Sequence, residues 1–294
     1  MQLTAEQIEV FNTRGALIAH GALAHADQQP LIDELSQWID GRARALEAEG
    51  KIDDLHEDAP FETRYGLLFK QCREIGQGMD IMHYRGRAMF EFLRNENLLD
   101  LLESLLGPEL TCNPIQHLRS KPPQAYENSE GPSFHNAPWH QDAGVMMREA
   151  EGSNIVTCWL PLANATVAHG CMEVLPGLAA TGYLRHQAVG GTTIVPDIMP
   201  DIEAAPLECQ RGDVVLMSRF TPHRSTPNLT DECRWSLDLR YQPTGQHTGR
   251  TGHPDFVARS RRDPACEMSD YEEWCRLWVD AFENPSGFVG HRGE

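Results

Sequence analysis

The sequence has no run of ~18 apolar residues, no Cys-x-x-Cys pair, and few cations, with 25 Lys and Arg against 43 Asp and Glu. The first absence excludes a helical membrane span and sets the expectation of no membrane partner. The eight cysteines, Cys72, Cys112, Cys158, Cys171, Cys209, Cys233, Cys266 and Cys275, are scattered and lack the spacing of a zinc or redox motif. Reduced packing thiols in a cytoplasm account for them most simply. A net charge of −18 repels phosphates, so no nucleic-acid partner is expected. The one dense basic run, Arg259 to Arg262, reads as a solvated loop or helix start. The opening M-Q-L-T-A-E-Q-I-E is polar and helical, without the pattern of a secretion signal. What remains is a cytoplasmic protein, a monomer or homodimer, whose partner is a small-molecule substrate. At 40% hydrophobic residues the chain can bury a proper core.

Against that background one stretch stands out, P-W-H-Q-D-A-G-V, answered far downstream by S-R-F-T-P-H-R-S-T-P. It supplies His140 and Asp142, and the second stretch supplies His223. Two imidazoles and one carboxylate are the ligand set of a mononuclear iron(II) site with open positions. In a strand, successive side chains alternate faces, so the one-residue gap puts His140 and Asp142 on the same side and turns Gln141 elsewhere. The third ligand follows 81 residues after Asp142, as expected if neighbouring strands of a barrel are distant in sequence. A structural zinc site would need a fourth protein ligand. His-x-Asp also arises by chance in an acidic chain with 13 histidines. His135, His169 and His186 have no carboxylate two residues away and read as surface or hydrogen-bonded residues.

The segment R-W-S-L-D-L-R-Y alternates strictly, with Arg234, Ser236, Asp238 and Arg240 on one face and Trp235, Leu237, Leu239 and Tyr241 on the other. Either the charges face water, or they face the lumen of a barrel that holds a charged small molecule while helices cover the apolar side. In the second case Arg234 is a natural anchor for a dicarboxylate, because a guanidinium grips a carboxylate with two parallel hydrogen bonds. Ser225, on the strand face of His223, adds a hydroxyl. That arrangement fits 2-oxoglutarate. Arg240, on the same face, either binds substrate or pairs with Asp238, and the pairing is the expectation.

These residues resemble the phytanoyl-CoA dioxygenase family of iron(II)- and 2-oxoglutarate-dependent oxygenases. The resemblance runs through L-T-A-E-Q-I-E-V-F-N-T-R-G-A-L-I, S-K-P-P, W-H-Q-D, I-V-T-C-W-L-P-L, H-G-C-M-E-V-L-P-G and R-G-D-V-V-L-M, then the distal histidine with an arginine 11 residues later. It implies that His140, Asp142 and His223 bind Fe(II) and carry catalysis, that Arg234 and Ser225 bind 2-oxoglutarate, and that O2 is consumed. It also implies that Gln141, Trp159 and His117 line the co-substrate site. Two departures stand out: P-G-L-A-A-T-G replaces the family's Pro-Gly-Ser-His, and Lys51 to Phe92 matches no quoted motif. Because Asp142 is present, hydroxylation of an unactivated C–H, or a desaturating or ring-forming variant, is expected in preference to halogenation.

The expected architecture is mainly β with flanking helices: a double-stranded β-helix (jelly-roll, cupin-like) core buttressed by N-terminal and C-terminal helices. One oxygenase domain spans 1–294, helical over 1–107, jelly roll over 108–245, then loop and helix over 246–294. Thr4 and Gln7 form a capping box for a first helix that Gly15 ends, followed by a short strand and an amphipathic helix from Asp27 to about Leu46. The leucines from Leu98 to Leu106 give another helix, and Tyr271 to Phe282 a last one. Short apolar runs after Thr111 fit a double-sheet jelly roll. Ala125 to Pro138, with Gly131 and Pro132, and Thr244 to Pro254 are long loops and candidate lids, one of them expected to order over bound substrate. Two other classes use the same residues: a cupin-type metal-dependent hydrolase or isomerase, which needs neither Arg234 nor oxygen, and a silent scaffold.

Overall fold

A computed structural model describes residues 1–127, 135–189 and 191–289. Gly131 and Pro132 of the first candidate lid lie outside the described residues. The helical part comprises α1 (Ala5–Arg14), then, after strand β1 (Ala16–Ala19), α2 (His25–Ala48), α3 (Phe61–Gln71), α4 (Ile81–Tyr84), α5 (Arg87–Leu93) and α6 (Glu96–Leu106). The strands that follow are β2 (Glu109–Cys112), β3 (His117–Lys121), β4 (Val156–Pro161), β5 (Met172–Val174), β6 (His186–Ala188), β7 (Thr192–Ile194), β8 (Ala205–Leu207), β9 (Val214–Ser218), β10 (His223–Ser225), β11 (Arg234–Pro243) and β12 (Phe256–Ser260), and α7 (Tyr271–Glu283) closes the order.

Local chemistry sets the ends of α1. Thr4 accepts from the Gln7 backbone N–H while the Gln7 side chain accepts from Thr4, completing the capping box. Gly15 then stops the helix in the left-handed region at φ 75°, a site where an added Cβ would strike Thr221 and Ala179.

Seven strands form one antiparallel sheet in the order β1-β9-β4-β11-β2-β12, with β3 also paired to β11; β10, β5 and β8 form a second, and β6 and β7 a third. Side-chain alternation assigns each face of the large sheet. Val156, Cys158 and Leu160 of β4, Val214 and Leu216 of β9, and Trp235, Leu237, Leu239 and Tyr241 of β11 pack against the helices in one large core. The alternate residues Trp159, Val215 and Met217 meet Met172, Val174 and Leu207 of the small sheet in a second cluster. This is the sandwich interior of a jelly roll, and the charged face of β11 points into it rather than into water.

Two expectations need correction. The barrel strands do not end near 245, because β12 adds an edge strand antiparallel to β2. Nor is the basic run solvated throughout: Arg259 is buried and ion-paired to Glu96, Asp100 and Glu103, which ties β12 to α6. Lys51 to Phe92, which matched no motif, supplies α3, α4 and most of α5, and Phe69 and Met79 border a cavity beside the large sheet. All eight cysteines are free thiols, five of them buried. No helix among the described residues is long and apolar enough to cross a membrane.

Trp235 joins the sheet to α3: its ring stacks on Phe61 at 4.9 Å and meets Tyr65 edge-on at 5.0 Å, fully buried. Trp235→Ala is expected to cost about 3–5 kcal/mol of stability by urea denaturation. A loss near zero would mean that the helical layer is not anchored there.

Candidate metal centre and co-substrate cavity

His140, Asp142 and His223 come together: one ligand-type atom from each lies within 4.8 Å of the others. The means differs from the strand alternation expected. His140 forms an isolated antiparallel bridge with His223, each backbone N–H donating to the other's carbonyl at 3.0 and 2.9 Å. Of His140 and Asp142, only His140 is strand-like. Asp142 opens a short 3-10 turn, Asp142–Val145, which swings its carboxylate back toward the two imidazoles.

Each donor is oriented by a neighbour. His140 Nδ1 faces the Pro138 carbonyl at 2.8 Å and His223 Nδ1 the Thr221 carbonyl at 2.9 Å. Carbonyls can only accept, so both Nδ1 atoms carry the proton and both Nε2 lone pairs are available to a metal. Burial, reinforced by the neighbouring His223, pulls His140 down to about 3, keeping it neutral and ligand-competent. Asp142 is fully buried. Burial opposes its ionisation, but the Arg240 guanidinium, 2.5 Å from Oδ1, outweighs that and holds the carboxyl well below its usual range. Thr157 donates to the other carboxylate oxygen.

Arg240 makes the expected pair with Asp238 and a closer one that the sequence does not suggest. It does touch Asp238, at 3.3 Å, but its nearer partner is Asp142, and Nη1 donates to the Ile115 carbonyl. The available signal was its position on the charged face of β11, six residues from Arg234.

A cavity of about 380 Å³ opens beside the cluster, lined by His140, His223, Trp159, Ser225, Lys121 and Arg234 among others. Arg234 is buried, its guanidinium carbon 5.0 Å from the centre of the Trp159 ring, and its Nε and Nη1 have no hydrogen-bond partner among the described residues. Buried unsatisfied donors are costly, so a buried arginine in the wall of a cavity, with no ion pair among the described residues, fits a carboxylate supplied from outside. Lys121, the strand partner of Arg234, is a second cation there that the sequence reading did not assign. Its Nζ donates to Asn136, Ser225 and Thr226, while burial, with Arg234 adding to it, lowers its pKa to about 6. Three acceptors nevertheless match the three donors of an ammonium.

The remaining expected residues fall on both sides of the cavity wall. Trp159 and Ser225 line it, although Ser225 Oγ already accepts from Lys121 and from the Ala137 N–H. Gln141 does not line it: its amide donates to the Gly182 and Phe220 carbonyls and accepts from Leu184 N–H, pinning two loops behind the site. Gln141 thus points away from the cavity, held by these loop contacts, and not into the co-substrate site that the resemblance implies. His117 is bound to Asp80 at 2.7 Å and lines a neighbouring cavity instead. Of the three histidines expected to be surface or hydrogen-bonded residues, His135 lines the main cavity, His169 pairs with Thr166 and Glu232, and His186 Nε2 accepts from the Gln141 backbone.

Two histidines and a buried carboxylate clustered inside a jelly roll, beside a cavity with a bare arginine in its wall, define the class: a jelly roll with a candidate mononuclear metal centre. The chain belongs to the phytanoyl-CoA dioxygenase family, whose sequence model matches residues 11–236, and this places it among the iron- and 2-oxoglutarate-dependent oxygenases. Among curated relatives, a methylphosphonate hydroxylase of Gimesia maris is 32% identical over 37% of this chain and 40% of its own length. A phytanoyl-CoA dioxygenase domain-containing protein 1 homolog of Dictyostelium discoideum is 21% identical over 82% of this chain and 92% of its own. The fold is shared with the epimerase SnoN, solved in complex with Fe3+, alpha ketoglutarate and nogalamycin RO, at 19% identity and a TM-score of 0.56 over 83% of this chain and 86% of that one.

Two outcomes are expected. Arg240→Leu strips Asp142 of its nearest cation and should weaken iron(II) binding roughly 10- to 100-fold in an anaerobic titration; unchanged affinity would remove Arg240 from the centre. The unfolded chain protonates His140 near 6.5 and the native protein near 3, so between these values the unfolded state binds more protons and stability falls as pH is lowered. Metal-free His140→Gln should therefore lose less stability than wild type on acidification through that window, by about 1 kcal/mol per pH unit in denaturation midpoints; equal slopes contradict a neutral native imidazole.

Proposed function

We propose that this protein is an iron(II)- and 2-oxoglutarate-dependent hydroxylase of a small or medium soluble metabolite, with His140, Asp142 and His223 as metal ligands. The single observation that carries the reading is that cluster beside a cavity whose wall also holds Arg234, buried and without an ion pair among the described residues. A water-activating hydrolase or isomerase needs the cluster but leaves Arg234 without a purpose. Iron(II), 2-oxoglutarate and dioxygen supply the oxidising chemistry, with release of succinate and carbon dioxide.

The chain's own task is placement and protection. His140 and His223 present their Nε2 atoms, and Asp142, held ionised by Arg240 and Thr157, presents the third donor. Arg234 binds the distal carboxylate of 2-oxoglutarate as a fork, with Lys121 adding charge and holding Ser225 in place. Trp159, Met172 and Met217 keep that end of the cavity apolar and dry. The substrate then takes the neighbouring cavity, about 260 Å³, on the Asp142 side. A compact molecule, such as the methylphosphonate in the name of one relative, is the kind of substrate favoured here.

Adding iron(II) and 2-oxoglutarate to the protein without oxygen should produce the visible charge-transfer band of the chelate. Arg234→Ala should weaken 2-oxoglutarate binding at least about tenfold while leaving iron binding intact. A wild-type protein that takes up iron but gives no band sinks the proposal.

A further inference from the structure

We infer that Arg250 docks an anionic group of the substrate, so that the molecule this site takes is a small carboxylate, phosphonate or sulfonate. The inference rests on the reading of the centre given above and adds the substrate's charge class. Arg250 lines the 260 Å³ cavity together with Asp142 and His140, on the flank away from Arg234. Its relative exposure is 7%, its Nε has no hydrogen-bond partner, and no carboxylate among the described residues forms an ion pair with it.

The other cations of that cavity are engaged. Arg240 holds Asp142 and Asp238, and Arg119, more than half exposed, lies 3.8 Å from Asp80. Packing alone does not explain a buried guanidinium without a counter-ion, because isolation from both water and anions is costly for a charge. Nor is Arg250 carried on a loose loop. Asn113 donates to the Thr248 carbonyl, Met147 N–H to the Gly249 carbonyl, and Ser153 to the His247 carbonyl. Gly249, at φ 81°, lies so close to Met146 that an added Cβ would be 2.7 Å from it. The arginine is thus presented from a braced turn, the arrangement a recognition residue requires.

Geometry separates this site from the co-substrate's. His140 and Asp238 line both cavities, Arg234 only the first and Arg250 only the second. A molecule whose acid rests on Arg250 therefore occupies a cavity that Arg234 does not line, with its alkyl part near Asp142 and His140 of the cluster.

The test uses the anaerobic protein loaded with iron(II) and saturating 2-oxoglutarate. It is titrated with butanoate, propylphosphonate, propanesulfonate and, as a neutral match, butanamide, following the charge-transfer band and then succinate release on admission of oxygen. At least one of the acids should shift the band saturably where the amide does not, and the ranking of the three identifies the acid type. Arg250→Ala should weaken that acid about tenfold or more, and Arg250→Lys less, both with an undiminished 2-oxoglutarate band that shows an intact fold and centre. The inference is overturned if the amide binds as well as the acids, if no acid shifts the band, if the acids merely bleach it by displacing 2-oxoglutarate, or if Arg250→Ala leaves their affinity unchanged. A wild-type band that never forms is a different result, which removes the metal and co-substrate reading itself.

Discussion

The structure depends on a strand with two incompatible faces. β11 carries Arg234, Ser236, Asp238 and Arg240 toward the sandwich interior and Trp235, Leu237, Leu239 and Tyr241 toward the helices. Period-two alternation allows no compromise, since a slip of one residue would drive the charges into the apolar core. Pairing to β2, β3 and β4 fixes the register along its length, so the helical layer that buries Trp235 also aims Arg234 and Arg240. Stability on one face and chemistry on the other are therefore set by the same backbone hydrogen bonds.

The charged interior is sustained because most of its members are paired. Asp142 is neutralised by Arg240 and bonded by Thr157, while both histidines are locked by backbone carbonyls. Such pairs add little net stability compared with an apolar core, so their retention reflects geometry. They hold three donors from segments up to 83 residues apart within reach of one ion. Arg234 and Arg250 are the exceptions, and each faces a cavity. The unsatisfied charges lie where a ligand can reach them.

Legibility in the sequence followed the range of the interaction. The capping box at Thr4 and Gln7, the stop at Gly15 and the two faces of β11 depend on residues a few positions apart, and each was readable. His140, Asp142 and His223 were legible as residue types, but the device that gathers them was not. It is a bridge between distant segments followed by a 3-10 turn, and no local period encodes either. Arg240 was assigned to Asp238 because that partner is two residues away, whereas Asp142 becomes its nearer neighbour only through the fold. The edge strand β12 was hidden for a similar reason: the buried Arg259 looks like a solvent residue until α6 supplies three carboxylates.

The two cavities also bear on why the centre can be open on one flank without being indiscriminate. Three protein donors leave coordination positions free, and any small ligand could enter them if charge did not sort the approaches. Here the approaches differ in kind. The Arg234 side ends in a guanidinium stacked over Trp159 with a lysine beside it, a deep anion pocket backed by apolar side chains. The Asp142 side has its cation on a braced loop outside the sandwich strands. Under the proposed function, two acids sharing one metal are kept apart by the distance between their arginines, and exchanging them would place the wrong carbon near the reacting centre. The loop bearing Arg250 lies between β11 and β12, outside the paired strands that aim Arg234, so the two arginines are held by different supports: strand register for one, loop hydrogen bonds for the other.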